Sequence, residues 1–422
     1  MAEESVLTDE FIRQLMNVGE VDILVGLPTH NNAKTVGPVI QAIQAGILKS
    51  FPRERAVIIN ADGGSKDGTS ELVTGASIDD VRHAYNGYTL RTLHSISTSY
   101  ANNPSSKTAL RTILAAAELL RAKACAVIQP ESTNIDSEWI PRILRPIYHD
   151  SFDFVTPIYR RHKFEGLLMR NLVYPMTRAL YGQRIREPYA SEFGFSGRLG
   201  SQFLGQDIWS HDSGRFGPEM ELTICAITGG YRIYQSFLGT KSRVEQHADD
   251  LVPAMRQTAG VLFSSLEGNV AVWGTKNGSQ PVPTMGPEYE LDLESVRVNR
   301  KRLKEMFSAG VTELEPVFRS LLSPATLAEL QRIASLSEAD FRYPAELWAK
   351  TVYEFAAAYH QAVMSRDHII QALAPLYRGR MFTFLVENRS GSAEDIENNV
   401  ENLCREFERL KPYLLEVWNG RK

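Results

Sequence analysis

Two polar turns near the N-terminus carry residue types suited to holding a nucleotide. Pro28-Thr29-His30-Asn31 follows the apolar run from Asp22 to Leu27, and Asp62-Gly-Gly-Ser-Lys-Asp-Gly-Thr69 follows Ala56 to Asn60. Further along stand Lys107, Gln129-Pro130-Glu131, Arg160-Arg161, Ser191-Glu192, Glu219, Arg243 and His247. A nucleotide diphosphate sugar makes three demands that such a set can meet. The base and ribose need donors, acceptors and a flat apolar surface, which Pro28, Thr29, Asn31 and Asp62 supply. The diphosphate needs basic groups or a cation, and Lys107 with Arg160 or Arg161 supplies part of that charge. The leaving bond needs its developing charge stabilised. Each residue also has a plainer reading. Asp62 can simply form its glycine-rich turn, Glu131 can cap the segment after Pro130, and Glu219 is favoured at a helix start by the dipole alone. Tyr159-Arg-Arg-His-Lys can be a solvated charge run, and Arg378 and Arg380 read as surface charges.

The elements that must carry these residues alternate between strand and helix. The spacing predicts a helix over 8–19, strands from Asp22 to Leu27, Ala56 to Asn60, Arg91 to Ile96 and Ala124 to Gln129, and helices starting near Thr35, Thr69 and Ala109. Pro28 is expected to end the first strand, and Ser105 or Ser106 to cap the helix that follows them. This alternation predicts an α/β fold with a doubly wound, mostly parallel sheet. In such sheets ligands sit at the C-terminal strand ends, where all four polar turns fall. Beyond Phe152 a strand is expected from Phe154 to Ile158, a helix from Leu167 to Leu180, a helix from Glu219 to Thr228, a strand from Tyr231 to Phe237 and a long helix over 252–275. Residues 276–289 read as a Pro/Gly-rich linker. After it, helices are expected over 344–364, 367–377 and 393–418, with Ser323-Pro324 as a helix start. The expected organisation is a nucleotide-sugar and acceptor domain over 1–275 and a helical domain over 290–422.

The 422 residues carry a formal net charge of -4, which gives no electrostatic case for nucleic acid. Three cysteines, Cys125, Cys225 and Cys404, lie far apart and read as buried thiols of a reducing compartment. The acidic, amphipathic N-terminus is no signal peptide, and no apolar run is long enough to span a bilayer. A cytoplasmic location is expected, with the apolar helical tail offering a surface for a homodimer.

Leu27-Pro28-Thr29-His30-Asn31 with Thr35-Val36, and the Asp62–Thr69 turn, resemble the opening of GT-A nucleotide-sugar glycosyltransferases. Glu187-Pro-Tyr-Ala-Ser-Glu192, Gly217-Pro-Glu219 and Leu238-Gly-Thr-Lys241 resemble elements of the glucosyl-3-phosphoglycerate and mannosylglycerate synthases. The resemblance spans roughly residues 20 to 275 and touches the tail at Ala374-Pro-Leu-Tyr-Arg-Gly-Arg380. It implies a Rossmann-like GT-A fold and a retaining hexosyltransferase. The donor would be a UDP-, GDP- or ADP-hexose, and the acceptor small and anionic, such as glycerate or 3-phosphoglycerate, the chemistry of compatible-solute synthesis. By position it gives Pro28, Thr29, Asn31, Asp62, Lys107 and Gln129 to the nucleotide sugar. It gives Arg160, Arg161, Ser191, Glu192 and Arg243 to the acceptor, and makes Glu192 and Glu219 the catalytic candidates.

The resemblance also implies a divalent cation, Mg2+ or Mn2+, and here the chain departs from the pattern. An Asp-X-Asp is expected at the end of the fourth strand, where Gln129-Pro130-Glu131 stands. A His is expected shortly after the Leu-Gly-X-basic element. Arg243 occupies that place and His247 follows four residues later. Either a loop shift brings His247 to join Glu131 at a metal, or Arg243 replaces the metal's charge. This departure motivates one rival to the transferase reading, a catalytically silent nucleotide-sugar-binding regulatory or partner protein. A second rival is a nucleotidyltransferase, which also begins with a nucleotide-binding α/β domain. It would want a basic, Gly-rich loop straight after the first strand, which Pro28-Thr-His-Asn-Asn is not.

Overall fold

The computed structural model describes residues 7–80, 91–100, 105–209, 218–241, 251–287, 290–293 and 299–420. Among these residues ten strands are present: β1 (Ile23–Thr29), β2 (Ala56–Asp62), β3 (Ile78–Asp80), β4 (Arg91–Ser99), β5 (Ala124–Val127), β6 (Phe154–His162), β7 (Phe193–Ser196), β8 (Ile233–Thr240), β9 (Thr284–Met285) and β10 (Leu291–Asp292). Their order is β3-β4-β2-β1-β5-β7-β6-β8-β9, with β10 on β6. The pairs β1–β2, β1–β5, β2–β4 and β8–β9 are parallel. β3 and β7 run antiparallel to their neighbours. The fold is therefore α/β with a mostly parallel sheet, as the alternation predicts.

Helices cover both faces of β1 and β2, which is why both strands are apolar on both faces up to Leu27 and Ile59 and turn polar only toward their C-terminal ends. Ile23, Val25 and Leu27 of β1 share a core with Val36, Val39, Ile40 and Ile43 of helix Val36–Ser50 and with Trp139 and Ile143 of helix Trp139–Tyr148. The alternate residue Gly26 faces helix Ser106–Leu119, where a Cβ would stand 2.5 Å from the Ile113 side chain. Only glycine lets that helix lie so close to the sheet.

β1 does not stop at Pro28. Its register with β2 runs on from Leu27↔Asn60 through Pro28↔Ala61 to Thr29↔Asp62. The Gly26 carbonyl accepts from the Ile128 amide, so β1 positions two apart from Gly26 also face the β5 side, where the ladder ends at Gly26↔Val127. The missing N–H of Pro28 therefore costs no ladder bond.

The chain divides into two compact units. One comprises Met1–Tyr159, Tyr189–Arg243 and Pro283–Glu288, and the other Arg160–Pro188, Val244–Val282 and Tyr289–Lys422. The division is thus not a single cut at the expected linker. Stretches on both sides of it build the second unit, and Thr284–Met285 of the linker is a strand paired to β8.

In the second unit several expected helices differ in extent. The segment over 252–275 is broken by a π turn at Arg256–Gly260 and by Asn269. The 167–180 segment opens as a π turn, Met169–Val173, before helix Tyr174–Tyr181, which has Pro175 in its first turn. Helix Arg366–Glu387 runs on through Pro375. Gly310 of helix Arg300–Glu313 leaves the space that the Pro375 ring occupies, since a Cβ at position 310 would overlap it. The 393–418 segment is two helices, Ala393–Arg409 and Lys411–Trp418, broken just before Pro412. Ser323 caps Pro324–Ala334 as expected, accepting from the Thr326 amide. Arg380 is no surface charge: it is 3% exposed and donates to Asn171 Oδ1 at 3.1 Å and to the Tyr343 carbonyl at 3.1 Å. Cys125 and Cys404 are buried and Cys225 is half-buried, all three as free thiols.

Candidate functional site

The site lies in the first unit, at the C-terminal ends of β1, β2, β5 and β8. Strand register brings Thr29 and Asp62 side by side, and side chains then stitch the two N-terminal turns together. The Thr29 hydroxyl lies 2.7 Å from Asn60 Oδ1 and 3.0 Å from Asp62 Oδ1. The Gly63 amide donates to the Thr29 carbonyl at 2.7 Å. Asn31, in the left-handed region at φ 55°, donates its amide to Ser65 Oγ at 2.8 Å and accepts from the Lys66 amide at 3.0 Å. Asparagine tolerates that backbone better than most residues. The Asn32 and Ala33 amides donate to Thr69 Oγ1 and Asp67 Oδ2 at 2.8 and 3.0 Å.

Asp62 organises its turn from within. It is 1% exposed. Its Oδ2 accepts from the Gly64 and Ser65 amides at 3.1 and 2.8 Å and from Ser99 Oγ at 3.4 Å, and its Oδ1 from Ser65 Oγ at 2.5 Å. The carboxylate is thus committed to protein donors, and it shapes the surface formed by exposed Asn31 and Gly64 and half-buried Pro28.

The turn after β5 connects this pair of loops to a second cluster. Glu131 is exposed, yet its Oε1 accepts from Asn32 Nδ2 at 2.6 Å, tying the β5 turn to the β1 turn. Gln129 Nε2 donates to the Ser191 carbonyl at 3.2 Å. Next to Ser191, Glu192 is 1% exposed and takes three donors: Ser132 Oγ at 2.5 Å, Tyr159 OH at 2.6 Å and Lys241 Nζ at 3.1 Å. Burial alone would raise its pKa. The Lys241 charge and the hydroxyl donors outweigh burial and hold the carboxyl below its ordinary value.

Glu219, the first residue of helix Glu219–Thr228, is the opposite case. Its Oε1 accepts from Ser106 Oγ at 3.3 Å, while Oε2 is buried with no partner among the described residues. Burial pushes its pKa up to about 7, only partly offset by its own backbone amide and Ser106, with Glu221 and Glu192 adding repulsion. The same carboxyl, after burial, helps raise Tyr189 above the ordinary phenol value. Of the two expected catalytic carboxyls, one is therefore a fully paired carboxylate. The other is a lone group titrating near neutrality, poised to donate or accept a hydrogen bond.

Lys107 lies half-buried in the first turn of helix Ser106–Leu119. Arg160 and Arg161 belong to the second unit and are paired there with Glu290 at 3.5 Å and Glu187 at 2.8 Å. Arg243 and His247 lie outside the described residues. Among the described residues no three His, Cys, Asp or Glu side chains form a group able to hold a metal ion. Glu131 is a single carboxylate already bonded to Asn32, and Gln129 and Ser132 are turned to Ser191 and Glu192. Among the described residues the donor set does not fit a hard divalent cation, which wants several oxygen ligands converging on one point. No helix among the described residues is long and apolar enough to cross a membrane.

Asn32, Ser65 and Ser132 carry no individual signal in the sequence, and Tyr159 and Lys241 stand there only inside longer motifs, with no role of their own. Position finds both: Lys241 directly follows β8, and Tyr159 lies in the downstream half of β6.

No family model matches the chain, and no curated protein matches it. Solved structures do. Glucosyl-3-phosphoglycerate synthase from Mycobacterium tuberculosis, in complex with Mn2+, UDP and glucosyl-3-phosphoglycerate, is similar at 20% identity and a TM-score of 0.42, over 66% of this chain and 88% of its own. The Mg2+ and UDP complex of that enzyme aligns at 20% identity and TM-score 0.43, over 63% and 84%. Its complex with Mn2+, UDP-glucose and phosphoglyceric acid aligns at 19% identity and TM-score 0.41, over 67% and 94%.

Proposed function

We propose that the chain is a glycosyltransferase that moves a hexose, glucose or mannose, from a nucleotide diphosphate sugar to a small anionic acceptor such as glycerate or 3-phosphoglycerate. The observation that carries this reading is the continuous polar network at the C-terminal strand ends. It runs from the stitched β1 and β2 turns through Asn32 and Glu131 to the β5 turn, and continues through Ser132 to Glu192 and Lys241. A nucleotide over the first turns has its diphosphate directed along this network. The donor and acceptor classes are those of the families whose motifs the sequence resembles.

In this reading Pro28, Thr29, Asn31 and the Asp62 turn hold base and ribose, and Lys107 and Gln129 border the diphosphate. Ser191 and Glu192 shape the acceptor side. Glu219 hydrogen-bonds a sugar or acceptor hydroxyl. Glu192 has three donors on its two oxygens, so it is a poor nucleophile, and front-face attack is the better course. The acceptor hydroxyl bonds to the anomeric carbon as the diphosphate leaves, and the diphosphate takes the hydroxyl proton.

The second reading, a silent nucleotide-sugar-binding protein, is favoured by the commitment of Glu131 to Asn32. One assay decides between them: release of nucleoside diphosphate from UDP-, GDP- and ADP-hexoses, with and without glycerate or 3-phosphoglycerate. Acceptor-dependent release is expected with one donor. Binding of a donor with no release under any condition overturns the transferase reading.

A further inference from the structure

The turn after β5 lacks the converging oxygens of a divalent-cation site, yet a departing diphosphate must have its new charge met by something positive. We propose that the Lys241 ammonium, held by Glu192 and Tyr159, meets that charge, so that transfer runs without a divalent cation. This rests on the glycosyltransferase reading and goes one step past it.

Four observations carry the assignment. Lys241 directly follows β8, at the same strand ends as the nucleotide turns. Its ammonium is 3.1 Å from Glu192 Oε2 and 4.7 Å from the Tyr159 ring centre, so two groups fix its position. Through Glu192 and Ser132 it is joined to the β5 turn, where the resemblance expects the metal. Finally, the ion pair is oriented. Glu192 is 1% exposed and Lys241 24%, so the pair presents its positive end outward and its negative end to the core. Among the described residues one of the three ammonium N–H groups has an acceptor, leaving donors for phosphate oxygens.

Glu131 then has a different task from metal ligation. Its oxygen fixes the Asn32 side chain, while the Asn32 backbone amide is bonded to Thr69, so Glu131 is a positioning residue for the nucleotide turns. The step balances without a co-reactant. The bond from the anomeric carbon to the β-phosphate oxygen breaks with its electron pair left on that oxygen. The acceptor oxygen bonds to the carbon, and its proton passes to the diphosphate. Lys241 donates a hydrogen bond to the oxygen on which charge grows.

The test uses the full chain, stripped with EDTA and assayed for nucleoside diphosphate release in EDTA and in Mn2+. The expected rates agree within about twofold, because the fixed cation is worth the two to three decades typical of one preorganised donor and needs no metal beside it. Lys241→Met lowers kcat by about 10²-fold or more, and Lys241→Arg recovers part of the loss. Glu131→Gln, which keeps an oxygen for Asn32, costs no more than about threefold in kcat, whereas Glu131→Ala raises the donor KM by about tenfold. If Lys241→Met fails to fold because Glu192 is left buried and unpaired, the double variant with Glu192→Gln removes that charge, and the EDTA and Glu131→Gln arms stand independently. Release that stops in EDTA and returns with Mn2+, together with an inactive Glu131→Gln, overturns the proposal and leaves the transferase reading standing. No release in either condition overturns the transferase reading itself.

Discussion

Replacing Glu219 by Gln isolates one buried carboxyl. Gln keeps the shape and an oxygen for Ser106 but removes the charge. In the folded chain the carboxyl has its pKa pushed up to about 7 from 4.5, with burial as the main cause. A carboxyl whose pKa rises on folding favours the folded state when protonated and opposes it when ionised. Between about pH 4.5 and 7 the folded chain keeps this proton while the unfolded chain has lost it, so stability falls as pH rises. At about 1.4 kcal/mol per pKa unit, the shift amounts to roughly 3 kcal/mol lost across that window. The assay is urea unfolding of the wild type and Glu219→Gln at pH 5, 6, 7 and 8, followed by circular dichroism. Other titrating groups contribute equally to both proteins and cancel in the difference. Expected is a gap that moves in favour of the variant by about 1 kcal/mol per unit up to pH 7 and then levels off. Parallel curves with a constant gap would refute the reasoning. They would mean that Glu219 is solvated, or has a partner that neutralises it.

Two further outcomes follow from the hydrogen-bond geometry. Asp62→Asn puts an amide NH2 where one carboxylate oxygen now receives donors, either the two backbone amides or the two hydroxyls. It should cost about 2–3 kcal/mol in the urea midpoint and weaken nucleotide-sugar binding by calorimetry, and an unchanged midpoint would refute the turn-organising role. In the second unit, the Arg178 guanidinium, hydrogen-bonded to Glu401, holds that carboxyl down to about 2. Its stabilisation is present above about pH 4.5 and is lost as pH falls toward 2. With solvent screening at this partly exposed pair, Glu401→Gln should lack an acid-induced loss of about 1–2 kcal/mol shown by the wild type, and identical acid midpoints would count against it.

The central strands and the two N-terminal turns were legible because their signals are local. Ile23 to Leu27 and Ala56 to Ile59 are apolar on both faces, and each run leads into a polar turn. The fate of the side chains in those turns was not legible, because it depends on partners far along the chain. Whether Glu131 ligates a metal or holds Asn32 depends on a residue 99 positions away, and the pairing of Glu192 with Lys241 spans 49. β7 has no local strand signal, since Phe-Gly-Phe-Ser is too short to show a period. It forms because Gly194 fits under Ile143 while its neighbours pair with β5 and β6. The early end expected for β1 came from treating Pro28 as a breaker without knowing that β5 stops two residues earlier on that side. Arg380 was misread because its partners, Asn171 and Tyr343, lie in other segments.

The interleaved units bear on how the chain is synthesised. The boundaries fall at 159/160, 188/189, 243/244, 282/283 and 288/289, so the backbone passes between the units five times. A ribosome therefore emits β9, the last strand of the first unit, only after two stretches of the second unit have already appeared. Those stretches contact each other and also helices that come after residue 288, such as Ala393–Arg409 against Tyr174–Tyr181, so their packing is completed late. Neither unit is a contiguous piece of messenger, and an expression product cut at residue 275 lacks β9 while carrying orphaned helical segments with apolar faces. Such a nascent chain exposes sticky surface for most of its translation, which makes it a natural client for chaperones that act before release.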